Sequence, residues 1–396
     1  MNIRPQIASA QPEMQRWRRD LHAHPELGFE EERTSEFVAA KLAEWDIAVH
    51  RGLAGTGVVG TLHGQEQGGA SVGLRADMDA LPLTELNTFD HASKSAGKMH
   101  ACGHDGHTAM LLGAARYLAQ TRNFRGTAQF IFQPAEEGLG GGERMIKEGL
   151  FTRFPVDAVY GLHNWPGIAL GTMGVRPGPM MASADFLEID VTGKGGHGAL
   201  PHLAVDPVVV AAHIITALQT LISRSTDPLQ SAVVSITVIE GGGAYNVIPE
   251  LVRMRGTVRT FSPAIRDMLE SGIQRIACGV ASSLGATALV RYQRKFPVLI
   301  NAAREVHVAI RAGTAVVGAA NVDEAVTPVM GSEDFAFMLE AKPGAYVFLG
   351  QGGRPGSCMV HNPEYDFNDE LLPIGASYWA SLVEHALPFG SRAATA

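Results

Sequence analysis

Short apolar runs alternate with stretches of helical periodicity along the first 165 residues, and that alternation leaves few folds open. Val58–Leu62, Ser71–Leu74, Thr127–Phe132 and Val156–Leu162 read as strands. Glu13–Asp20, Glu31–Trp45 and His104–Gln120 repeat their apolar residues at helical spacing, with Met110, Leu111, Ala114 and Leu118 on one face of the third. Strands separated by helices of about 10–15 residues build a mostly parallel sheet covered by helices, an α/β domain.

Around Ala184 the pattern changes. Phe186–Val191 alternates as a half-buried strand does, and a helix follows over Asp206–Arg224. Strands Ala232–Ile239 and Leu251–Thr260, a helix over Pro263–Leu284 and a strand over Ala286–Gln293 complete a β-α-β-β-α-β order. That order predicts a ferredoxin-like α+β insert. After Pro297 the α/β pattern resumes, with Tyr346–Leu349 as a core strand. The expected organisation is a discontinuous first domain, residues 1–183 and 296–396, interrupted by a second over 184–295. A chain of 396 residues agrees with two domains. The last residues, Ser391–Ala396, are expected to fray.

Charge and cysteine content narrow the partners. The net charge is −8 and no basic run or stripe occurs, so no nucleic-acid partner is expected. Met1-Asn-Ile-Arg-Pro5 lacks the apolar stretch of a secretory signal. The most apolar long segment, Val208–Ile222, carries His213, Thr216, Gln219 and Thr220 and is short for a bilayer, so no membrane partner is expected. Cys102, Cys278 and Cys358 are an odd and sparse set, which points to a reducing compartment and a cytoplasmic location.

Four polar clusters follow the expected core strands: Asp77 with Asp79; Glu136 with Glu137; His163; and His361 in the loop beyond Leu349. Ligands of open α/β sheets bind outside the carboxyl ends of the strands, so these clusters should converge. A fifth, Met99-His-Ala-Cys-Gly-His-Asp-Gly-His107, precedes a helix. In an extended segment Cys102 and His104 would point to the same side and share an ion. Three other readings stay open for this cluster: a polar helix start that caps orphan N–H groups, a Cys/His nucleophilic pair, and Cys102 as a small buried hydrophobe. Glu136-Glu137 is either a charged turn or a divided pair, one carboxylate binding metal and the other taking a proton from water. One metal site accounts for all five clusters. Thiolate, imidazole and carboxylate together suit zinc or another first-row divalent ion.

With these residues in view, the chain resembles the aminoacylase and carboxypeptidase-type co-catalytic metallopeptidases, in the branch of hippurate hydrolases and auxin-conjugate (IAA-amino acid) hydrolases. The resemblance runs through Leu21-His-Ala-His-Pro-Glu-Leu-Gly-Phe29, Arg75-Ala-Asp-Met-Asp-Ala-Leu-Pro82, the Met99–His107 cluster, Gln133-Pro-Ala-Glu-Glu-Gly138 and Gly161-Leu-His-Asn-Trp-Pro166. It continues through Lys194-Gly-Gly-His-Gly-Ala-Leu-Pro-His202, Gly242–Pro249, Gly256-Thr-Val-Arg-Thr-Phe261, Gly331-Ser-Glu-Asp-Phe335 and His361-Asn-Pro-Glu-Tyr365.

The resemblance implies a metal-dependent amidohydrolase that cleaves N-acyl amino acids with two divalent ions per subunit (zinc, manganese, cobalt or nickel). Cys102, His104, Glu137, His163 and His361 would be the ligands, with Cys102 bridging. Glu136 would be the general base, and Asp77 and Asp79 would orient ligands. The insert would be a lid and dimerisation domain of a homodimer. From it His197, or else His202, would reach across the dimer to meet the oxyanion, while Asn246 and Arg259 hold the substrate. Cys358 is expected to be a bystander. A dipeptidase or aminoacylase of the same family, a thiol hydrolase using Cys102, and a non-catalytic binding homologue are the rival readings.

Overall fold

The computed structural model describes residues 1–353 and 358–389. The expected fraying of residues 391–396 lies outside them. The chain divides into two compact units: Met1–Gly178 with Ile300–Thr327 and Asp334–Ala396, and Pro179–Leu299 with Pro328–Glu333. The segment Pro328–Glu333, expected in the first domain, groups with the second unit for a local reason. Val329 N–H donates to the Met180 carbonyl at 3.1 Å, and Ala182 N–H donates to the Val329 and Gly331 carbonyls at 3.2 and 2.9 Å.

In the first unit an eight-stranded sheet runs Ala48–Leu53, Gly57–His63, Arg125–Gln133, Glu66–Asp77, Ala158–Pro166, Gly344–Gly352, Met173–Gly174, Val322–Asp323. The four strands from Arg125–Gln133 to Gly344–Gly352 are mutually parallel, while the strands before them pair antiparallel. Parallel strands are covered on both faces and read as continuous apolar runs, as Phe130-Ile-Phe132 and Ala345–Leu349 do; all eight of these side chains are buried.

The first helix spans Pro5–Ala23 rather than the expected Glu13–Asp20. It runs through Pro12, and Ile7, Met14, Trp17 and Leu21 are buried along it, so packing overrides the break that a proline usually marks. Helix Leu372–Ala386 has almost no exposed face, which leaves no polar side from which periodicity could announce it.

In the second unit an antiparallel sheet has the order Ala232–Glu240, Leu251–Thr260, Ala184–Thr192, Thr287–Phe296. In chain order this is 2-3-1-4, the ferredoxin-like arrangement expected. Leu187, Ile189, Val191, Val252, Met254 and Val258 form the inward face, packed with residues of helices Pro207–Thr220 and Pro263–Ser283. Pro207–Ser225 is long and apolar enough to cross a membrane by length and composition. Its Val210, Ala211, Ile214, Leu218 and Leu221 are nevertheless part of this unit's core.

Candidate metal centre

Strand ends and one helix start assemble the site in the first unit. Asp77 closes the strand Glu66–Asp77, Glu136 and Glu137 follow Arg125–Gln133, and His361 lies beyond Gly344–Gly352. Two local expectations need correction. His163 does not follow its strand but lies within it, because the strand extends from Ala158 to Pro166 alongside Gly344–Gly352. Cys102 and His104 do not share an extended segment either. Gly103 adopts φ +94° and His104 opens the helix, so a left-handed turn, not strand alternation, sets the pair. A Cβ at Gly103 would lie 2.3 Å from Asn164 Oδ1 and 2.8 Å from Tyr365 Oη, so glycine is needed for space as well as for its backbone. Glu136 and Glu137 likewise sit in a turn rather than in an extended segment.

All five expected donors converge. Cys102 Sγ lies within 4.8 Å of ligand atoms of His104 and His163, and within the same limit of ligand atoms of Glu137 and His361. The thiol is therefore common to two three-residue groups; a further grouping joins His104, Glu136 and Glu137. Cys102 Sγ is 3.3 Å from His163 Nε2, and His361 Nε2 is 3.2 Å from Glu137 Oε1.

The imidazoles are aimed by hydrogen bonds from their far sides. His104 Nδ1 donates to the Asp79 carbonyl at 2.9 Å, and His163 Nδ1 donates to the Asn164 carbonyl at 2.6 Å. Both Nε2 lone pairs are thereby turned inward. Asp79 Oδ2 accepts the Glu137 N–H at 2.9 Å. Buried His104 Nε2 has no hydrogen-bond partner, and Glu137 Oε1 meets His361 Nε2 at 3.2 Å. Leaving a buried imidazole nitrogen unsatisfied is costly, and a divalent cation would satisfy it. The donor chemistry and this orphaned atom fit a metal site.

The clustered acids favour positive charge among the donors: burial opposes a charge on His104, but Asp77, Asp79 and Glu137 outweigh it and raise its pKa to about 10. Burial, then the carboxylates of Glu137, Glu136 and Asp77, push the Cys102 thiol well up. Burial, reinforced by His107, pulls His163 well down and keeps its imidazole neutral, the form that binds cations. Burial opposes ionisation of Asp77, but His104, Arg75 and His107 outweigh it and hold that carboxylate well below its usual range.

Several residues behind the donors were not assigned from sequence. His107 bridges Asp77 Oδ1 and Asn164 Oδ1 at 2.6 and 2.7 Å; its place three residues after His104 was the available signal. Asp334, inside the Gly331–Phe335 motif, accepts from Gln133 Nε2 at 2.7 Å, Gly142 N–H at 2.8 Å and Arg75 at 3.1 Å. Asp105 meets His22 Nδ1 at 2.8 Å and Arg18 Nε at 2.9 Å.

The remaining expected site residues belong to the second unit. Strand Gly196–His197 pairs with Val247–Ile248, setting His197 opposite Val247, and Gly198 N–H donates to the Asn246 carbonyl at 2.7 Å. His197 and Asn246 therefore flank one two-stranded ribbon, both exposed. His197 Nδ1 accepts the Ala199 N–H at 3.0 Å, which assigns the ring proton to Nε2. His202 is exposed in the turn Pro201–Leu203. Arg259 donates to Ser332 Oγ at 2.8 Å. Cys358 is a free, part-buried thiol.

Comparison with known proteins matches residues 73–385 to the model of peptidase family M20/M25/M40. A hippurate hydrolase of Campylobacter jejuni is 42% identical over 382 residues, 96% of this chain and 98% of that protein. An N-acetylcysteine deacetylase of Bacillus subtilis is 40% identical over 367 residues, 92% of this chain and 94% of that protein. Among solved structures, the Bacillus subtilis YXEP protein, described as a dinuclear metal-binding peptidase of the M20 family, superposes with a TM-score of 0.84 at 36% identity, covering 96% of this chain and 99% of that one.

Proposed function

The chain belongs to peptidase family M20/M25/M40, and from that premise we propose that it is a metal-dependent amidohydrolase cleaving N-acyl amino acids of the hippurate kind into a carboxylic acid and a free amino acid. The observation that carries the reading is the sharing of Cys102 Sγ between two groups of donors, with Glu136 beside them. Cys102, His104, Glu137, His163 and His361 would hold two divalent cations. These ions would supply Lewis acidity to the scissile carbonyl and to the attacking water.

The chain's own residues then have separate tasks. Glu136, whose Oε1 accepts the Asp334 N–H at 3.4 Å, takes the proton of the attacking water and returns it to the leaving amine. His197 of the partner subunit, reaching across the dimer, donates through Nε2–H to the developing oxyanion. Asn246 positions the acyl amide. Arg259 exchanges Ser332 for the free α-carboxylate, which its forked donors suit. A Cys102 nucleophile is disfavoured, because reactive cysteines are partly exposed in electropositive surroundings, whereas Cys102 is buried and grouped with the Glu137 carboxylate.

Zinc or manganese suits the mixed thiolate, imidazole and carboxylate set. A homodimer through the second unit would cover Val208, Val209 and the edge strand Ala232–Glu240, all of which offer apolar or unpaired surface. Free cysteines agree with a cytoplasmic location.

The test is a panel of N-acetyl, N-benzoyl and indole-acetyl amino acids with dipeptides, run with chelator and with single metals restored. Chelator-sensitive release of amino acid is expected. Cleavage indifferent to chelation would overturn the reading. Glu136→Gln should lower kcat by about 100- to 10,000-fold with the metal content unchanged; a near-normal rate would remove Glu136 as the base.

A further inference from the structure

We propose that Glu31 is a positioning residue for catalysis: its carboxylate holds the turn at Ala135 from which Glu136 is presented. This rests on the reading of Glu136 as the base.

The Leu21–Phe29 motif has no part in the chemistry above, yet its continuation leads straight under the site. Glu31 is wholly buried. Its Oε1 accepts the Ala135 N–H at 2.8 Å, and its Oε2 accepts the Thr56 hydroxyl at 2.6 Å. Ala135 has φ +55°, a left-handed conformation that alanine adopts only when its surroundings enforce it. Pro134 has no N–H to give, so the Ala135 amide is the first donor after the strand Arg125–Gln133 that can anchor this turn. The Ala135 carbonyl is held as well, by the Gly141 N–H at 2.9 Å. The strained residue is thus gripped at both peptide groups, one residue before the proposed base.

The same segment touches the neighbouring loop. Ala80 N–H donates to the Glu26 carbonyl at 2.8 Å, and Leu27 bridges to Ala80, the residue after Asp79. Gly28 lies flat against the turn: a Cβ there would fall 3.0 Å from Ala135 Cα and 2.7 Å from Leu139 Cδ1. Burial pushes the Glu31 carboxyl up to about 7 despite the Thr56 hydrogen bond. For stability alone, an apolar side chain would avoid that desolvation cost. An apolar side chain cannot accept the Ala135 N–H.

Glu31→Ala, Glu31→Gln and Gly28→Ala, made in the full chain loaded with metal, test this. The readouts are kcat, KM, metal per chain, and amide hydrogen exchange of the peptide covering residues 133–141. Glu31→Ala should lower kcat about 10- to 100-fold, with KM and metal content within about twofold of wild type and faster exchange in that peptide. Glu31→Gln keeps an acceptor for Ala135 and a partner for Thr56, so it should restore kcat to within about threefold. Gly28→Ala presses on the same turn and should act like Glu31→Ala, which keeps the test open should Glu31→Ala not fold.

Normal kcat in Glu31→Ala or in Gly28→Ala would overturn the proposal. So would a loss matched by lost metal, or Glu31→Gln as impaired as Glu31→Ala. An active Glu136→Gln would instead defeat the base assignment, while the exchange rates would still report on the tie between Glu31 and Ala135.

Discussion

Arg18→Met takes a guanidinium out from among three carboxylates directly behind the site. Arg18 and Asp105 are both fully buried, 2.9 Å apart. Asp366 pairs directly with the same guanidinium, and Asp369 lies 3.5 Å away. Burial opposes the charge on Arg18, but the three acids outweigh it and raise its pKa. Breaking a buried pair by removing one partner costs about 3–5 kcal/mol. Asp105 would keep His22 at 2.8 Å as a cation, which places the loss near the lower end, about 3 kcal/mol. Methionine replaces most of the apolar stem, so lost packing adds little. At about 2 °C per kcal/mol for a unit of this size, the melting temperature at pH 7 should fall by about 6 °C. Arg19→Met is the matched control: Arg19 meets the same Asp369 at 2.8 Å, but its side chain is 44% exposed. An exposed pair is worth about 0–1 kcal/mol, so this variant should melt within about 2 °C of wild type. Scanning calorimetry of both variants decides. Equal losses, or an Arg18→Met protein that melts with wild type, would refute the claim that burial sets the magnitude.

His22 gives a pH window. Burial pulls its imidazole down, but hydrogen bonds to Asp105 and Glu85 outweigh that and raise it to about 9. A raised folded-state pKa contributes stability that is complete below pH 6.5 and lost as pH climbs through 9. Urea unfolding should therefore show a loss of up to about 3 kcal/mol from His22 across that window, with the slope shallower in His22→Gln; identical slopes would contradict it. Gly103→Ala forces a Cβ onto Asn164 and Tyr365 at φ +94°. It should cost about 2–5 kcal/mol and lower metal per chain, read by calorimetry and elemental analysis; a fully loaded, wild-type-like variant would contradict this. Chelation should abolish amide cleavage and also lower the melting temperature, since ions bound only by the folded state stabilise it. An unchanged melt after verified metal removal would contradict binding of the ions by the folded state alone.

What could be read from sequence, and what could not, follows from how far apart the interacting groups lie. The expected donors stood out because each sits at or near the carboxyl end of a sheet strand or at a helix start, where topology alone makes side chains converge. Their local geometry did not stand out: Cys102 and His104 looked like neighbours in a strand, and only the φ of Gly103 shows that a turn pairs them. The second unit was readable because its strands alternate cleanly, Leu187, Ile189 and Val191 inward and Glu188 outward. Helix Leu372–Ala386 was not, because burial on nearly every side erases the alternation on which periodicity depends. The supporting network was hidden for a third reason. His22 meets Asp105 across 83 residues and Glu31 meets Ala135 across 104, and no local pattern encodes such a pairing. A polar motif such as Leu21–Phe29, remote from any strand end yet preceding a buried acid, therefore points to a strut under the site: the residues that perform chemistry gather at strand ends, and those that hold them in place can come from anywhere the chain returns.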